Sequence, residues 1–425
     1  MIPECLSIAE IAEQVILQNS SIVLFFYELV NLFHHYYLFS PKSVLVSLRI
    51  KRFLLDFFLL TALSRENILK SVFFYIYIIA AAAGGFSMNR YPFPKIDLHL
   101  HLDGSVLPET AWELAQAQGV PIPADTLEGY RDYIRTAANC GSVNEYLKLF
   151  DLPLQIMQDA TNITRITREL VELLHRQGLA YAEIRFAPQL HTREGLTQHL
   201  AIEAVLEGRR QGLAACPGFD VGILACMMCV GPETANWEAN AKTVEAAREY
   251  LGQGLVGVDL AGGEGIVPLK NFAPLFHRAA ELGIPFTCHA GDSQGPDTVR
   301  DAMNFGARRI GHGHHIFNDP ELCRRAIREG VTLEICPTSN IQCQTQPSYQ
   351  EHPAKKLLDM GMSVTINTDN MVLAGVSLDD EYDHCLGEMG FTRQDLIRMN
   401  QNAVRAAFLP EERKEDLLSR LEACL

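Results

Sequence analysis

From residue 95 onward the chain repeats one alternation, a short apolar run followed by a longer amphipathic stretch. The runs are KIDLHLHL (95–102), YAEIRFAP (181–188), VGILACMM (221–228), VGVDLAG (256–262), PFTCHAG (285–291), RIGHGHH (309–315), VTLEICPTS (331–339) and SVTINTD (363–369). Each has the length and apolar character of a strand. Between them, stretches such as ITRITRELVELLHRQG (163–178) and NFAPLFHRAAELG (271–283) predict helices, both running out at a glycine. Eight strands alternating with helices predict an α/β fold of the (β/α)8 TIM-barrel type. The competing architecture is an open, doubly wound sheet. Such a sheet carries a glycine-rich phosphate loop after its first strand, and none follows residue 102. The segment EYLKLFDLPLQIM (145–157) suits either an apolar lid or a helix packed on the barrel.

Residues 1–87 break this pattern. They are dominated by runs such as FLLDFFLL (53–60) and VFFYIYIIAAAAGGF (72–86), and hold six basic and six acidic residues. The formal charge of −15 therefore lies wholly after them. The second run is shorter than the ~20 residues that span a bilayer. As the core of a signal sequence it would lie nearer the start. The segment is expected to be an upstream stretch before a natural start at Met88, the alternatives being a membrane anchor or a folded extension. Membrane contact is expected only if residues 1–87 are real and expressed. The barrel is expected to occupy residues 88–425.

The acidic balance argues against nucleic acid as a partner and for a neutral or cationic small molecule. Eleven scattered cysteines suggest reduced thiols and a cytoplasmic protein. Cys226 and Cys229 form a CxxC without a second pair, and read as buried small residues rather than metal ligands.

Barrel enzymes build their sites at the C-terminal ends of the strands, so polar residues there carry the chemistry. In the first strand, alternation places His99, His101 and Asp103 on one face, with Asp97 if the strand is regular, and Leu98, Leu100 and Leu102 on the other. A buried row of imidazoles and carboxylates is costly unless a cation sits among them. The fifth strand ends in His289 with Asp292 three residues on, the sixth carries His312, and the eighth ends in Asp369 followed by Asn370. Strands two, three and four offer Arg185, Cys226 and Asp259. Singly, each has a bland reading: a strand-end histidine as a hydrogen-bonded structural residue, or Asp369 as a helix cap. Together, three histidines and an aspartate converging on one mouth give nitrogen and oxygen ligation. That set suits zinc or another borderline divalent ion.

HLHLDGS, CHAGD, RIGHGHH, LEICPTSN and TINTDN, in this order across residues 90–405, resemble the adenosine deaminase family of the metal-dependent amidohydrolase superfamily. TSNIQ and the HP that follows resemble its bacterial members. The resemblance implies one Zn2+ per chain held by His99, His101, His289 and Asp369. A single ion is implied because the fourth strand lacks the lysine of two-metal relatives. It further implies deamination of adenosine to inosine and ammonia in purine salvage, by attack of a metal-bound hydroxide on purine C6. In that reaction Asp292 protonates N1, while His312 orients the water, takes its proton or stabilises charge. Asp369 accepts a hydrogen bond. The backbone amide of Gly262 meets N3, Asp103 and His101 lie near the ribose 5′-hydroxyl, and Asn370 meets N7.

Two positions depart from the family pattern. Asp292 stands where the family has glutamate, one methylene longer, and Asn370 where many relatives have a second aspartate. An asparagine amide donates to N7 without needing a proton. A related adenine compound (adenine, or a 5′- or N6-modified adenosine) is the competing substrate. A non-catalytic nucleoside-binding relative is the competing class.

Overall fold

The computed structural model describes residues 90–231 and 236–425, so the expectations for residues 1–87 lie outside the described residues. Eight strands follow one another in the order the sequence predicts: β1 (Lys95–His101), β2 (Leu179–Phe186), β3 (Asp220–Cys229), β4 (Leu255–Gly262), β5 (Cys288–Ala290), β6 (Arg309–His312), β7 (Thr332–Ile335) and β8 (Ser363–Ile366). Neighbours β1 to β4 pair in parallel, as do β5 to β8. Single parallel bridges, Val258 to Phe286 and Leu100 to Asp369, join the two arcs at either side. The sheet thus closes into a barrel, with a helix in each connection.

The helix Ala160–Arg176 shows how the amphipathic segments cover the barrel. Its buried residues Ile163, Ile166, Thr167, Leu170, Val171 and Leu174 recur at helical spacing, and the Asp159 side chain caps it by accepting from Asn162 N–H. Each buried aliphatic residue contributes roughly 1.5–3 kcal/mol, so a charge at Leu170 would undock this helix. The predicted span 163–178 begins three residues late because the cap, not the first apolar residue, starts the helix.

The strands of the second arc are shorter than predicted. The runs at 285–291, 309–315, 331–339 and 363–369 hold only three or four ladder residues each. Their remaining residues turn into the mouth, as a 3-10 turn at His314–Asn318 and a helix at Pro337–Gln342. β1 ends at His101, and Asp103 opens a separate 3-10 turn, Asp103–Ser105. Asp103 therefore does not continue the strand face of His99 and His101, which corrects the simple alternation. At this end Asp369, three residues past β8, bridges β1: its N–H donates to His99 O and its carbonyl accepts from His101 N–H. The 145–157 segment forms short helical turns whose Tyr146, Leu149, Phe150, Leu152, Ile156 and Met157 are buried. All ten cysteines among the described residues are unpaired thiols, and Cys226 and Cys229 are buried in β3. No helix among the described residues is long and apolar enough to cross a membrane.

Candidate active site

Beneath the mouth lies a fully buried ionic layer. Arg185 (β2) pairs with Asp259 (β4) and Glu334 (β7), each at 2.8 Å, and Arg309 (β6) with Glu183 at 2.6 Å and Glu334 at 2.7 Å. Burial alone would raise the Glu334 pKa, but Arg309 and Arg185 outweigh it and push it down to about 2. Two members of this layer reach up to the histidines. Glu334 Oε2 lies 3.0 Å from His99 Nδ1, and Asp259 Oδ2 lies 3.0 Å from His289 Nδ1.

The hydrogen bond to Glu334 sets the tautomer of His99, and the Asp259 charge beside His289 Nδ1, though not in hydrogen-bond geometry, favours a proton on that nitrogen. A carboxylate on Nδ1 keeps the proton there and leaves the Nε2 lone pair aimed upward. His99 Nε2 is buried without a hydrogen-bond partner. His289 Nε2 faces His101 Nε2 at 3.4 Å, and Asp369 Oδ1 is 3.4 Å from His101 Nε2 and 3.7 Å from His99 Nε2. Burial, with the neighbouring histidines and Arg185, lowers the pKa of both His99 and His101 well below the usual value. Burial also opposes charge on His289, but Asp259 outweighs it and raises that pKa. Burial keeps His99 and His101 neutral, and the proton that His289 favours and shares with His101 across 3.4 Å is one a cation would replace. The donor set therefore fits a divalent ion of the zinc type. The ligating atoms of His99, His101 and His289 lie within 4.8 Å of one another, and so do those of His99, His312, Cys336 and Asp369.

His312 and Asp369 sit where their strands leave the ladder, both with positive φ (59° and 58°). Such a backbone is uncommon outside glycine and is held here by the surrounding fold. Burial pushes the His312 pKa down to about 4. Its Nε2 faces Asp369 Oδ2 at 4.0 Å, and its Nδ1 is 3.1 Å from Asn340 Nδ2. Asp292 lies beyond, with Oδ1 accepting from Asn340 Nδ2 (2.8 Å) and Thr345 Oγ1 (3.0 Å). Burial, and then the nearby Glu264, raise its pKa to about 6. Glu264 in turn holds the loop of Asp292: its carboxylate accepts from the backbone N–H groups of Gly291, Asp292, Ser293 and Gln294 at 2.5–3.0 Å.

The remaining predicted residues line the same mouth. Asp103 is buried, its Oδ1 lacks a partner, and burial raises its pKa to about 6. Asn370 follows Asp369 and is packed against Gly104, where any Cβ would fall 2.1 Å from Asn370 Oδ1. Gly262 ends β4 at φ 105°, and a Cβ there would meet the Cys229 carbonyl oxygen at 2.7 Å, so the position requires glycine. Sequence reasoning missed Asn340, Thr345, Glu264, Glu334 and Cys336. Asn340 and Cys336 stand inside LEICPTSN, and Glu264 directly follows β4, but only the fold shows what they face.

A closed parallel barrel with imidazoles and a carboxylate gathered at its C-terminal mouth defines a metal-dependent hydrolase of the amidohydrolase class. The chain belongs to the adenosine deaminase family, whose profile matches residues 94–424. It is 38% identical over 330 residues to an adenosine deaminase of Haemophilus ducreyi, covering 77% of this chain and 95% of that one. Among solved structures, the Arabidopsis N6-mAMP deaminase superposes with a TM-score of 0.68 at 27% identity, over 78% of this chain and 98% of the other. An amidohydrolase from Burkholderia ambifaria, solved with bound Zn, shares the fold with a TM-score of 0.69 at 21% identity, over 80% and 96% of the two chains.

Proposed function

We propose that residues 88–425 carry a deaminase that hydrolyses adenosine to inosine and ammonia, with one zinc ion held by His99, His101, His289 and Asp369. The observation that carries this reading is the buried His99 Nε2, which has no hydrogen-bond partner and stands within 4.8 Å of the ligating atoms of His101 and His289 on one side and Asp369 on the other. Zinc there supplies an acidified water near neutral pH and a positive charge beside the oxygen added at C6.

The chain's own residues do the rest. Asp292 reaches purine N1 with a carboxyl that burial keeps protonated to about pH 6, and its proton on N1 makes C6 electrophilic. His312 and Asp369 bracket the oxygen that adds to C6. Asn370 donates to N7, the Gly262 amide meets N3, and Asp103 with His101 receives the ribose 5′-hydroxyl. A carboxyl at that place favours a free hydroxyl over a 5′-phosphate, since a carboxylate repels a phosphate. The unpaired thiols fit a cytoplasmic enzyme of purine salvage.

The test is the ultraviolet change as zinc-loaded protein converts adenosine, with adenine and N6-methyl-AMP run alongside. Chelator-sensitive turnover with the highest kcat/KM on adenosine is expected. Turnover of N6-methyl-AMP or adenine alone would replace the substrate, and zinc binding without any turnover would replace the enzyme with a nucleoside-binding protein.

A further inference from the structure

His352 stands in the His-Pro pair after the TSNIQ segment, 3% exposed, and no role described above uses it. Burial pushes its pKa down to about 3, so the ring is neutral, with one nitrogen donating and the other accepting. The backbone N–H of Ala354 donates to His352 Nδ1 at 3.1 Å. Nδ1 is therefore the acceptor and Nε2 carries the proton. The Asn340 atom that meets Nε2 at 3.1 Å must then be oxygen, because a flipped amide would set two donors against each other. This fixes Asn340 Nδ2 toward the site with two hydrogens to give. One goes to Asp292 Oδ1 at 2.8 Å and one to His312 Nδ1 at 3.1 Å. By the same rule His312 Nδ1 accepts, and its proton sits on Nε2, toward Asp369.

We propose that His352 and Asn340 are positioning residues for the deamination: a relay starting at the Ala354 amide holds the His312 proton on Nε2 and aims the Asp292 carboxyl with its proton on Oδ2. The proposal rests on the deaminase reading above. With Asp292 as the neutral acid of that reading, its Oδ1, which already accepts from both Asn340 and Thr345, is the carbonyl oxygen and Oδ2 the hydroxyl. His312 then presents a donor rather than a lone pair to the mouth. It donates to the oxygen that adds at C6, and the proton lost by that oxygen goes to Asp369. The proton gained by N1 comes from Asp292, so one proton leaves the water as one reaches the purine. The relay also explains how an acid one methylene shorter than glutamate is held in a fixed direction.

The decisive experiment is histidine-selective 15N labelling of the zinc-loaded full chain, with long-range proton–nitrogen correlation to read each ring's tautomer. His312 and His352 are expected as Nε2–H forms, with signals assigned by their loss in His312→Asn and His352→Gln. An Nδ1–H or doubly protonated ring at either position overturns the relay. This result does not depend on turnover, so failure of the deaminase reading, seen as wild-type protein inert on adenosine, is distinguishable from failure of the relay. In kinetics, His352→Leu is expected to lower kcat by roughly 10- to 100-fold with little change in KM. His352→Gln, whose amide donates to the same oxygen, recovers most of that loss. Asn340→Asp, which replaces the donor by an acceptor, loses at least as much as His352→Leu. Wild-type kcat in both His352→Leu and Asn340→Asp refutes the relay. If His352→Leu does not fold, the wild-type tautomers and Asn340→Asp decide.

Discussion

In the proposed reaction Asp292 would donate a proton to N1 only while it is neutral, and its surroundings favour that form. Burial and the Glu264 charge raise its pKa to about 6. The protonated form is the active one and is lost as pH rises, so kcat/KM on adenosine falls with increasing pH above about 6. Asp292→Asn removes the proton while keeping the shape, and kcat is expected to drop roughly 10²- to 10⁴-fold. Its residual rate should lack the alkaline limb, and a limb that persists in the variant would assign that titration elsewhere. At this scale the gathering of His99, His101, His289 and Asp369 at one mouth was legible in the sequence, because the motif residues stand on β1 and β5 and just after β8. The holders of the acid were not. Asn340 and Thr345 reach Asp292 from the segment after β7, and Glu264 from the end of β4, so no spacing along the chain links them.

The ends of the strands set the geometry of the mouth. β4, β6 and β8 run out into residues with positive φ, at Gly262, His312 and Asp369. Strand length was overestimated in the second arc because apolar composition continues past the last ladder pair, into turns that are buried but no longer extended. Gly262→Ala tests what such an end contributes. The left-handed backbone costs a non-glycine residue about 1–2 kcal/mol, and the Cys229 carbonyl blocks the Cβ as well. The midpoint of denaturant unfolding should therefore fall, with kcat/KM reduced. An unchanged midpoint would mean that β4 shifts freely there. The helix Leu378–Gly387 makes the opposite case. Its Glu381 is buried, accepts from Thr338 N–H at 3.1 Å, and has its pKa raised to about 8 by that burial. The folded state keeps this proton to about pH 8, while the unfolded chain loses it near 4.5. Its contribution to stability is therefore full below about pH 4.5 and lost as pH rises to 8. Glu381→Gln cannot lose the proton and should be more stable at pH 7 by on the order of 2–3 kcal/mol. Parallel unfolding curves for the two proteins from pH 4.5 to 8 would contradict this.

In the molecule as a whole, the proposed metal site would close the barrel as well as serve the reaction. Its ligands come from β1, β5 and the end of β8, so one ion would tie the two arcs together beside the Leu100–Asp369 bridge, where a single pair joins them. The barrel was legible because eight apolar runs alternating with amphipathic stretches admit few closures. The ionic layer beneath was not, because Arg185, Glu183, Arg309 and Glu334 look like ordinary charged residues until the strands curl and face them inward. Without an ion, His101 Nε2 and His289 Nε2 would share only the 3.4 Å hydrogen bond between them. An ion present at a thousand times its dissociation constant stabilises the folded state by about 4 kcal/mol. At roughly 1–2 °C per kcal/mol for a domain of this length, below the 2–4 °C of domains of 150–250 residues, chelation should lower Tm by roughly 5 °C. Zinc should restore both Tm and turnover at the same stoichiometry, one ion per chain, because both draw on the same four side chains. Loss of turnover without any change in Tm would mean that the four groups are stable together without the ion. The closure of the barrel would then rest on the ionic layer alone.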